Sequence, residues 1–266
     1  SKSLLLTYVL LTQATAHAFT LNWTDSELKG WDTSTLQIQV NADECAGKID
    51  AAQLNSAVDE AMAVWNSAPL TSLKLERVTA TTANSTIALS KMTAGAPLIT
   101  CDSNLSKDIS KEQTIETNNI PALTLGLVEN AQTKNIIFGA ILINAEDGKA
   151  TAVQKLAHDK IVLVLAHEMG HLLGLGHSSD PNALLYFYVS EKTKPALAQD
   201  DFDGITFLYP RHELGESAPL GCASVSQNRP PGPGINGLEG FFFILMFIST
   251  WLIVRRRVHP SVRTQQ

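Results

Sequence analysis

Positive charge is scarce in this chain outside one short cluster. The 266 residues carry a formal net charge of −6, and residues 255–257, close to the C-terminus, are the only basic run. A nucleic-acid-binding protein carries a basic patch on its folded part, so the sequence excludes that class of partner. Internal repeats and heptad patterns are also missing, which excludes a solenoid and a coiled coil.

The N-terminal residues show the three zones of a secretory signal peptide. Lys2 precedes an apolar run at residues 4–11, and small residues around His17 predict cleavage after Ala18. A membrane helix or a core strand is the alternative, although the apolar run is short for a span of the bilayer. Residues 1–18 are therefore predicted to be a signal peptide, and the domain that follows is predicted to be exported.

The C-terminal residues have the composition of a linker followed by a membrane segment. Residues 211–237 are rich in proline, glycine and serine, residues 238–254 are apolar, and residues 255–266 form a basic tail. This order resembles bacterial sorting tails of the GlyGly-CTERM or MYXO-CTERM kind, which a membrane protease removes. A permanent single-pass anchor is the alternative. In both cases the tail is expected in the cytoplasm and the folded domain outside it.

Cysteine is rare, and its count of three is odd for an exported protein. Cys45 and Cys101 both lie in the body of the chain and could form a disulfide, which would stabilise the fold by about 2–4 kcal/mol. Two unpaired buried cysteines are the alternative. Cys222 lies in the linker and is left over. It could be free, link two chains or be processed with the tail.

Residues 19–210 show the hydrophobic periods of one domain that contains both helices and strands. Alternation predicts strands, and a helical stripe predicts a helix over residues 50–65 with Asp50 as its N-cap. The predicted strands are 36–40, 73–79, 124–129 and 136–144. Asp159 is expected to cap a second, longer helix. The order predicts an α/β sheet architecture whose cleft follows an edge strand, where an extended peptide can bind.

The most informative pattern is H-E-x-x-H-x-x-G-x-x-H at residues 167–177. On a helix, His167 and His171 are four residues apart and project from one face toward a common point. Gly174 can adopt the left-handed conformation with which helices end, so the chain can turn back and bring His177 to the same point. Three imidazole nitrogens suit a catalytic Zn²⁺, which keeps one position open for water.

Glu168 completes this pattern, because it lies beside the first histidine and is placed to take a proton from the zinc-bound water. A buried helix whose histidines are only hydrogen-bonded to one another is the alternative. Burial of three such histidines and a carboxylate without a shared metal would cost considerable free energy. The sequence therefore predicts a zinc peptidase that acts on protein or peptide substrates.

The residues around the motif follow a family pattern. Ser178 follows the third histidine, residues 183–186 read A-L-L-Y, and residues 197–209 form an acidic-apolar segment. These features resemble the matrixin family of the metzincin clan, with its Met-turn and closing helix. Residues 141–144 lie where that family has the strand along which substrate binds.

The resemblance covers residues 36–210 and carries expectations about fold and site. It implies a twisted mixed sheet, a long active-site helix, a loop-rich C-terminal subdomain and a closing helix. In that closing helix, Asp200 and Asp201 match the family's aspartates that brace the active-site region.

Three departures from the family pattern affect these expectations. Leu185 replaces the methionine of the Met-turn, and a leucine of similar volume should still form an apolar floor under the zinc ligands. Phe187 stands where the family usually has a proline, in the wall of a substrate pocket. No histidine occurs between His17 and His158, so a second zinc site cannot use its usual ligands. Structural Ca²⁺, bound by carboxylates and carbonyls, remains open.

Two other functions remain alternatives at this point. One is a secreted zinc-binding adhesion or structural module without catalysis, which the change at Leu185 favours and the intact Glu168 opposes. The other is an enzyme of a different metzincin family, for which Tyr186 would have to bind the metal.

Overall fold

The computed structural model describes residues 19–22, 29–80, 94–109, 119–188 and 192–211. The chain divides into two units, Ser1–His212 and Glu213–Gln266, and all described residues belong to the first. The predicted signal peptide and, apart from Arg211, the predicted linker, apolar segment and tail lie outside the described residues, as does Cys222. Within the described part, no helix is both long enough and apolar enough to cross a bilayer.

The described residues form a mixed sheet, as the resemblance implies, but it has five strands and the sequence predicts four. Its strands lie in the order β2-β1-β3-β5-β4, and all neighbours are parallel except β4 and β5, which are antiparallel. The strands are β1 Thr35–Asn41, β2 Lys74–Thr79, β3 Leu98–Asp102, β4 Ala122–Glu129 and β5 Ile136–Asn144.

The centre of the sheet is β3, a strand that the sequence analysis did not predict. All five of its residues are buried, and Ile99 pairs with Val40 of β1 on one side and Ile141 of β5 on the other. A strand that is covered on both faces shows no alternation of apolar and polar residues. Periodicity therefore gave no signal for this short segment.

The expectation that residues 141–144 bind substrate at an open strand edge is wrong. These residues belong to β5, which is paired with β3 on one side and with β4 on the other. Because β5 runs beside β3, its antiparallel hairpin partner has to take the outer position. The open edge of the sheet on this side is therefore β4.

Four α-helices occur among the described residues: α1 Ala51–Asn66, α2 Leu105–Ile109, α3 His158–Leu172 and α4 Gln199–Leu208. The Asp50 side chain caps α1 as predicted, since it accepts hydrogen bonds from the backbone N–H groups of Ala52 and Gln53. The prediction that Asp159 caps α3 is wrong. The N-cap is Ala157, two residues earlier, so Asp159 lies in the first turn of the helix, where a carboxylate interacts favourably with the helix dipole.

The core joins α1, α3 and the sheet through apolar side chains. Trp65 of α1 is fully buried, and its indole N–H donates to the carbonyl of Ala166 in α3 at 2.7 Å. A disulfide joins Cys45, which follows β1, to Cys101 in β3, with Cα atoms 5.0 Å apart. Helix α3 is thus joined to α1, and the disulfide joins the segment after β1 to the central strand.

Candidate metal centre

Two of the three motif histidines lie one turn apart near the C-terminal end of α3. His167 and His171 are 5% and 9% exposed. Their Nδ1 atoms lie 2.9 Å from the carbonyl oxygen of Leu184 and 2.8 Å from that of Leu175, respectively. A carbonyl only accepts, so each Nδ1 carries the hydrogen and each Nε2 is left with a lone pair. Metal-binding histidines are oriented in this way.

The positions of these lone pairs fit a shared cation. The Nε2 atoms of His167 and His171 lie 3.2 Å apart, and neither can donate to the other while both Nδ1 atoms carry the hydrogens. Two facing lone pairs repel each other unless a positive ion lies between them. Tetrahedral Zn²⁺ with bonds of about 2.0–2.1 Å separates two nitrogen ligands by about 3.3 Å, so the observed spacing fits zinc.

The third histidine reaches the same point through the turn after α3. Gly174 has φ 102°, in the region that favours glycine, and the Leu175 N–H donates back to the carbonyl of Gly170 at 3.0 Å. The ligand atoms of His167, His171 and His177 all lie within 4.8 Å of one another. Among the described residues, this trio is the one group of three or more metal-ligating side chains that converge.

The protonation state of the histidines also suits a metal. Burial lowers the pKa of His167 to about 3, and burial lowers the pKa of His171 and His177 as well. At neutral pH all three imidazoles are therefore uncharged, which is the form that binds a metal ion.

Glu168 lies in the same cleft and is almost completely buried. Burial raises its pKa to about 7, while a hydrogen bond from the Thr124 hydroxyl acts in the opposite direction. A carboxyl group with a pKa near neutrality is suited to taking up and returning a proton. Thr124 lies on β4, and its Oγ1 is 2.6 Å from Oε2 of Glu168.

The sequence-predicted support residues lie close to the histidines. Leu185 is buried and packs against α3 beside the ligands, because a Cβ on Gly170 would come within 2.5 Å of its Cδ2. Asp201, 2% exposed, accepts hydrogen bonds from the backbone N–H groups of Leu184, Leu185 and Ala198 at 2.7–3.1 Å.

The two neighbouring aspartates of α4 differ in their contacts. Burial raises the pKa of Asp201, against the effect of its three N–H donors. Asp200 is also buried, but its Oδ1 has no hydrogen-bond partner among the described residues. Structural Ca²⁺ remains a prediction.

The centre opens into a cleft of about 800 Å³ between α3 and β4. Its lining includes Ala122, Leu123 and Thr124 of the edge strand, and also Phe187, which is 51% exposed. The cleft is therefore bordered by a strand edge and by an aromatic side chain at the position that the family usually fills with proline.

Sequence analysis missed two residues that contact the centre. Thr124 contacts Glu168 across 44 positions in sequence, and the Thr20 hydroxyl donates to the carbonyl oxygen of His177 across 157 positions. Neither residue belongs to a motif. The one available signal was a polar threonine inside the apolar run of β4.

A mixed sheet, a helix with two buried histidines, a third histidine on the turn and a buried glutamate are the features of a zinc metallopeptidase site. Comparison with known proteins identifies the family. The matrixin family pattern matches residues 30–210, so the chain belongs to the matrixins, a family of zinc metalloendopeptidases.

Curated relatives match over shorter segments. Neutrophil collagenase of Homo sapiens is 42% identical over 83 residues, which are 29% of this chain and 18% of that protein. Metalloendoproteinase 1 of Glycine max is 57% identical over 47 residues, 17% of this chain and 15% of its own length. Matrix metalloproteinase-9 of Canis lupus familiaris is 54% identical over 54 residues, 20% of this chain and 8% of its own length. The chain spans less than a fifth of each of these relatives.

Proposed function

We propose that this domain is an endopeptidase that hydrolyses peptide bonds in extended protein or peptide segments. The observation that carries the proposal is the convergence of three neutral imidazoles beside a buried glutamate in one open cleft. In this proposal His167, His171 and His177 hold the zinc ion. Glu168 is the general base.

The edge of β4 is the proposed binding surface for the substrate backbone. An edge strand has unpaired N–H and C=O groups, and an extended peptide satisfies them by adding a strand to the sheet. Residues 122–124 of β4 line the cleft that holds Glu168, so a peptide paired with this edge passes over the metal centre. The exposed side chain of Phe187 also lines this cleft.

Glu168 performs the proton transfers in the proposed mechanism. When bound, zinc supplies a Lewis acid that polarises the scissile carbonyl and makes a coordinated water more acidic. Glu168 accepts a proton from the attacking water at its carboxylate and then delivers it to the nitrogen of the departing amine. The raised pKa of Glu168 favours both steps, because the group must exist in both protonation states.

We assign supporting roles to four further residues. Gly174 allows the turn that brings His177 to the metal, and Leu185 forms the apolar floor of the site. Asp201 holds the backbone of the Met-turn, and Asp200 belongs to the same brace on α4.

The test of the proposed function is Glu168→Gln, which keeps the shape of the side chain and removes its basicity. Turnover of casein and of a quenched fluorescent peptide should disappear, while bound zinc stays near one ion per chain. Glu76→Gln makes the same change at an exposed position of β2 and should leave turnover intact. A chelator should abolish the turnover of the parent protein. A Glu168→Gln protein that still cleaves the peptide would refute the role, and a parent without chelator-sensitive cleavage would favour the adhesion module.

We also propose that the domain works outside the cytoplasm. The signal-like residues 1–18 and the disulfide between Cys45 and Cys101 support this location, since disulfides persist in oxidising compartments. The C-terminal apolar segment is proposed either to anchor the protein in a membrane or to be removed by a membrane protease. The mass of the mature protein, measured after expression with export, distinguishes retention from removal.

A further inference from the structure

Thr124 on the edge strand β4 is polar and makes different contacts from the apolar residues on either side of it. Leu123 and Leu125 pack on the apolar cluster that contains Leu98, Phe138 and Leu142. Thr124 lies between them and therefore points to the opposite face of β4. On that face its hydroxyl meets α3 at Glu168.

Both contacts of the Thr124 hydroxyl are with Glu168. Its Oγ1 lies 2.6 Å from Oε2 of Glu168 and 2.9 Å from the backbone carbonyl oxygen of Glu168. A hydroxyl has one hydrogen, so it can donate to only one of these oxygens at a time. The shorter bond to a charged carboxylate oxygen is the stronger one, and it fixes the rotation of the carboxylate.

We propose that Thr124 is a positioning residue that holds Oε2 of Glu168 and so makes Oε1 the oxygen that carries the proton. This inference rests on the proposed function, because it concerns the same general base. The proton leaves the attacking water for Oε1 as the water oxygen bonds to the scissile carbonyl carbon. It then passes from Oε1 to the amide nitrogen as the C–N bond breaks, so that the products are a carboxylic acid and a neutral amine. The bond from Thr124 to Oε2 persists through both transfers, so the carboxyl group does not have to rotate.

The placement of Thr124 on the substrate-binding edge strengthens the inference. Thr124 pairs with Ile141 of β5, which fixes its backbone, and its other strand edge lies at the cleft. The same residue therefore sets the distance between the proposed peptide-binding edge and the general base. Misplacement of a catalytic group by a fraction of an ångström reduces the rate of the chemical step more than it reduces binding.

Two substitutions of Thr124 separate the effect of its hydroxyl from the effect of its side-chain shape. Thr124→Val keeps the branched shape and removes the donor, whereas Thr124→Ser keeps the donor and removes the methyl group. Thr100→Val is the matched control, because Thr100 is a buried strand threonine whose hydroxyl has no partner among the described residues. The kcat and KM of each variant are measured on one quenched peptide with the zinc-loaded protein, together with the zinc content and Tm.

We expect Thr124→Val to lower kcat by about 10–100-fold, with KM within about twofold of the parent. Thr124→Ser should recover kcat to within about threefold, and Thr100→Val should match the parent. Unchanged kcat in Thr124→Val overturns the inference, as does a loss that serine does not restore or that comes with loss of zinc. The proposed function is tested separately by Glu168→Gln, which stays inactive even if Thr124 proves dispensable.

Discussion

The residues before and after the end of α3 are held together in different ways. The first region, residues 29–172, which we call the sheet half, contains all five strands, the disulfide and most of the apolar core. The second region, residues 173–211, which we call the loop half, contains α4. Its described residues before α4, 173–188 and 192–198, form no helix or strand.

The metal centre needs both halves. The sheet half provides His167 and His171, but the carbonyl oxygens that orient their rings belong to Leu184 and Leu175 of the loop half. The loop half also provides His177. The sheet half therefore places the ligands by apolar packing, and the loop half orients them through backbone hydrogen bonds.

The largest effect is expected from Asp201→Ala in the loop half. Three backbone N–H groups, those of Leu184, Leu185 and Ala198, would lose their acceptor, and each buried donor without a partner costs about 1–3 kcal/mol. The free energy of unfolding should fall by about 3–5 kcal/mol, and zinc affinity should fall too, because the carbonyl of Leu184 orients His167. Urea unfolding and zinc titration measure the two effects.

Asp203→Ala is the matched control for Asp201, since Asp203 lies on the same helix but is exposed and bonded to the Gln199 side chain. It should change the free energy of unfolding by less than about 0.5 kcal/mol. Equal losses in the two variants would show that the loop half does not depend on this buried carboxylate.

A smaller effect on stability, and none on the site, is expected when the disulfide of the sheet half is removed. The double substitution of Cys45 and Cys101 by alanine frees a loop with a sequence separation of 56 and should lower the free energy of unfolding by about 2–4 kcal/mol. Turnover at 25 °C and zinc affinity should stay at parent values, because the metal ligands lie on other elements. A reductant should lower the Tm of the parent and leave that of the double variant unchanged. A fall in zinc affinity would show that the metal centre depends on this disulfide.

The two halves also differ in how much of their structure can be predicted from the sequence. The helix α1 and the strand β1 follow from periodicity, because each is covered on one face only. The convergence of His167 and His171 follows from the fixed geometry of a helix. The strand β3 lacks such a signal, since it is covered on both faces. The outer position of β4 depends on which strand β5 pairs with, and a single strand's sequence does not contain that choice.

In the loop half, sequence patterns predict single positions and not the contacts between them. Gly174 was predicted from its place in the motif, and Asp201 only from the resemblance to matrixins. The roles of Thr20 and Thr124 depend on hydrogen bonds between residues far apart in the chain. The sequence around a threonine does not indicate which distant residue its hydroxyl will contact, so these hydrogen bonds are seen only in the folded structure.

The smallest effect is expected where the N-terminal segment meets the loop half. Leu21 forms an isolated bridge with Leu175, and the Thr20 hydroxyl donates to the carbonyl oxygen of His177 at 2.7 Å. Thr20→Val removes this exposed bond and should weaken zinc binding by about fivefold, which corresponds to about 1 kcal/mol. Thr79→Val, at the exposed end of β2, should leave zinc affinity unchanged. Competitive titration with a chelating dye measures the Kd for zinc. If both variants have the same Kd as the parent, the turn after α3 alone positions His177, and the N-terminal segment does not support the loop half.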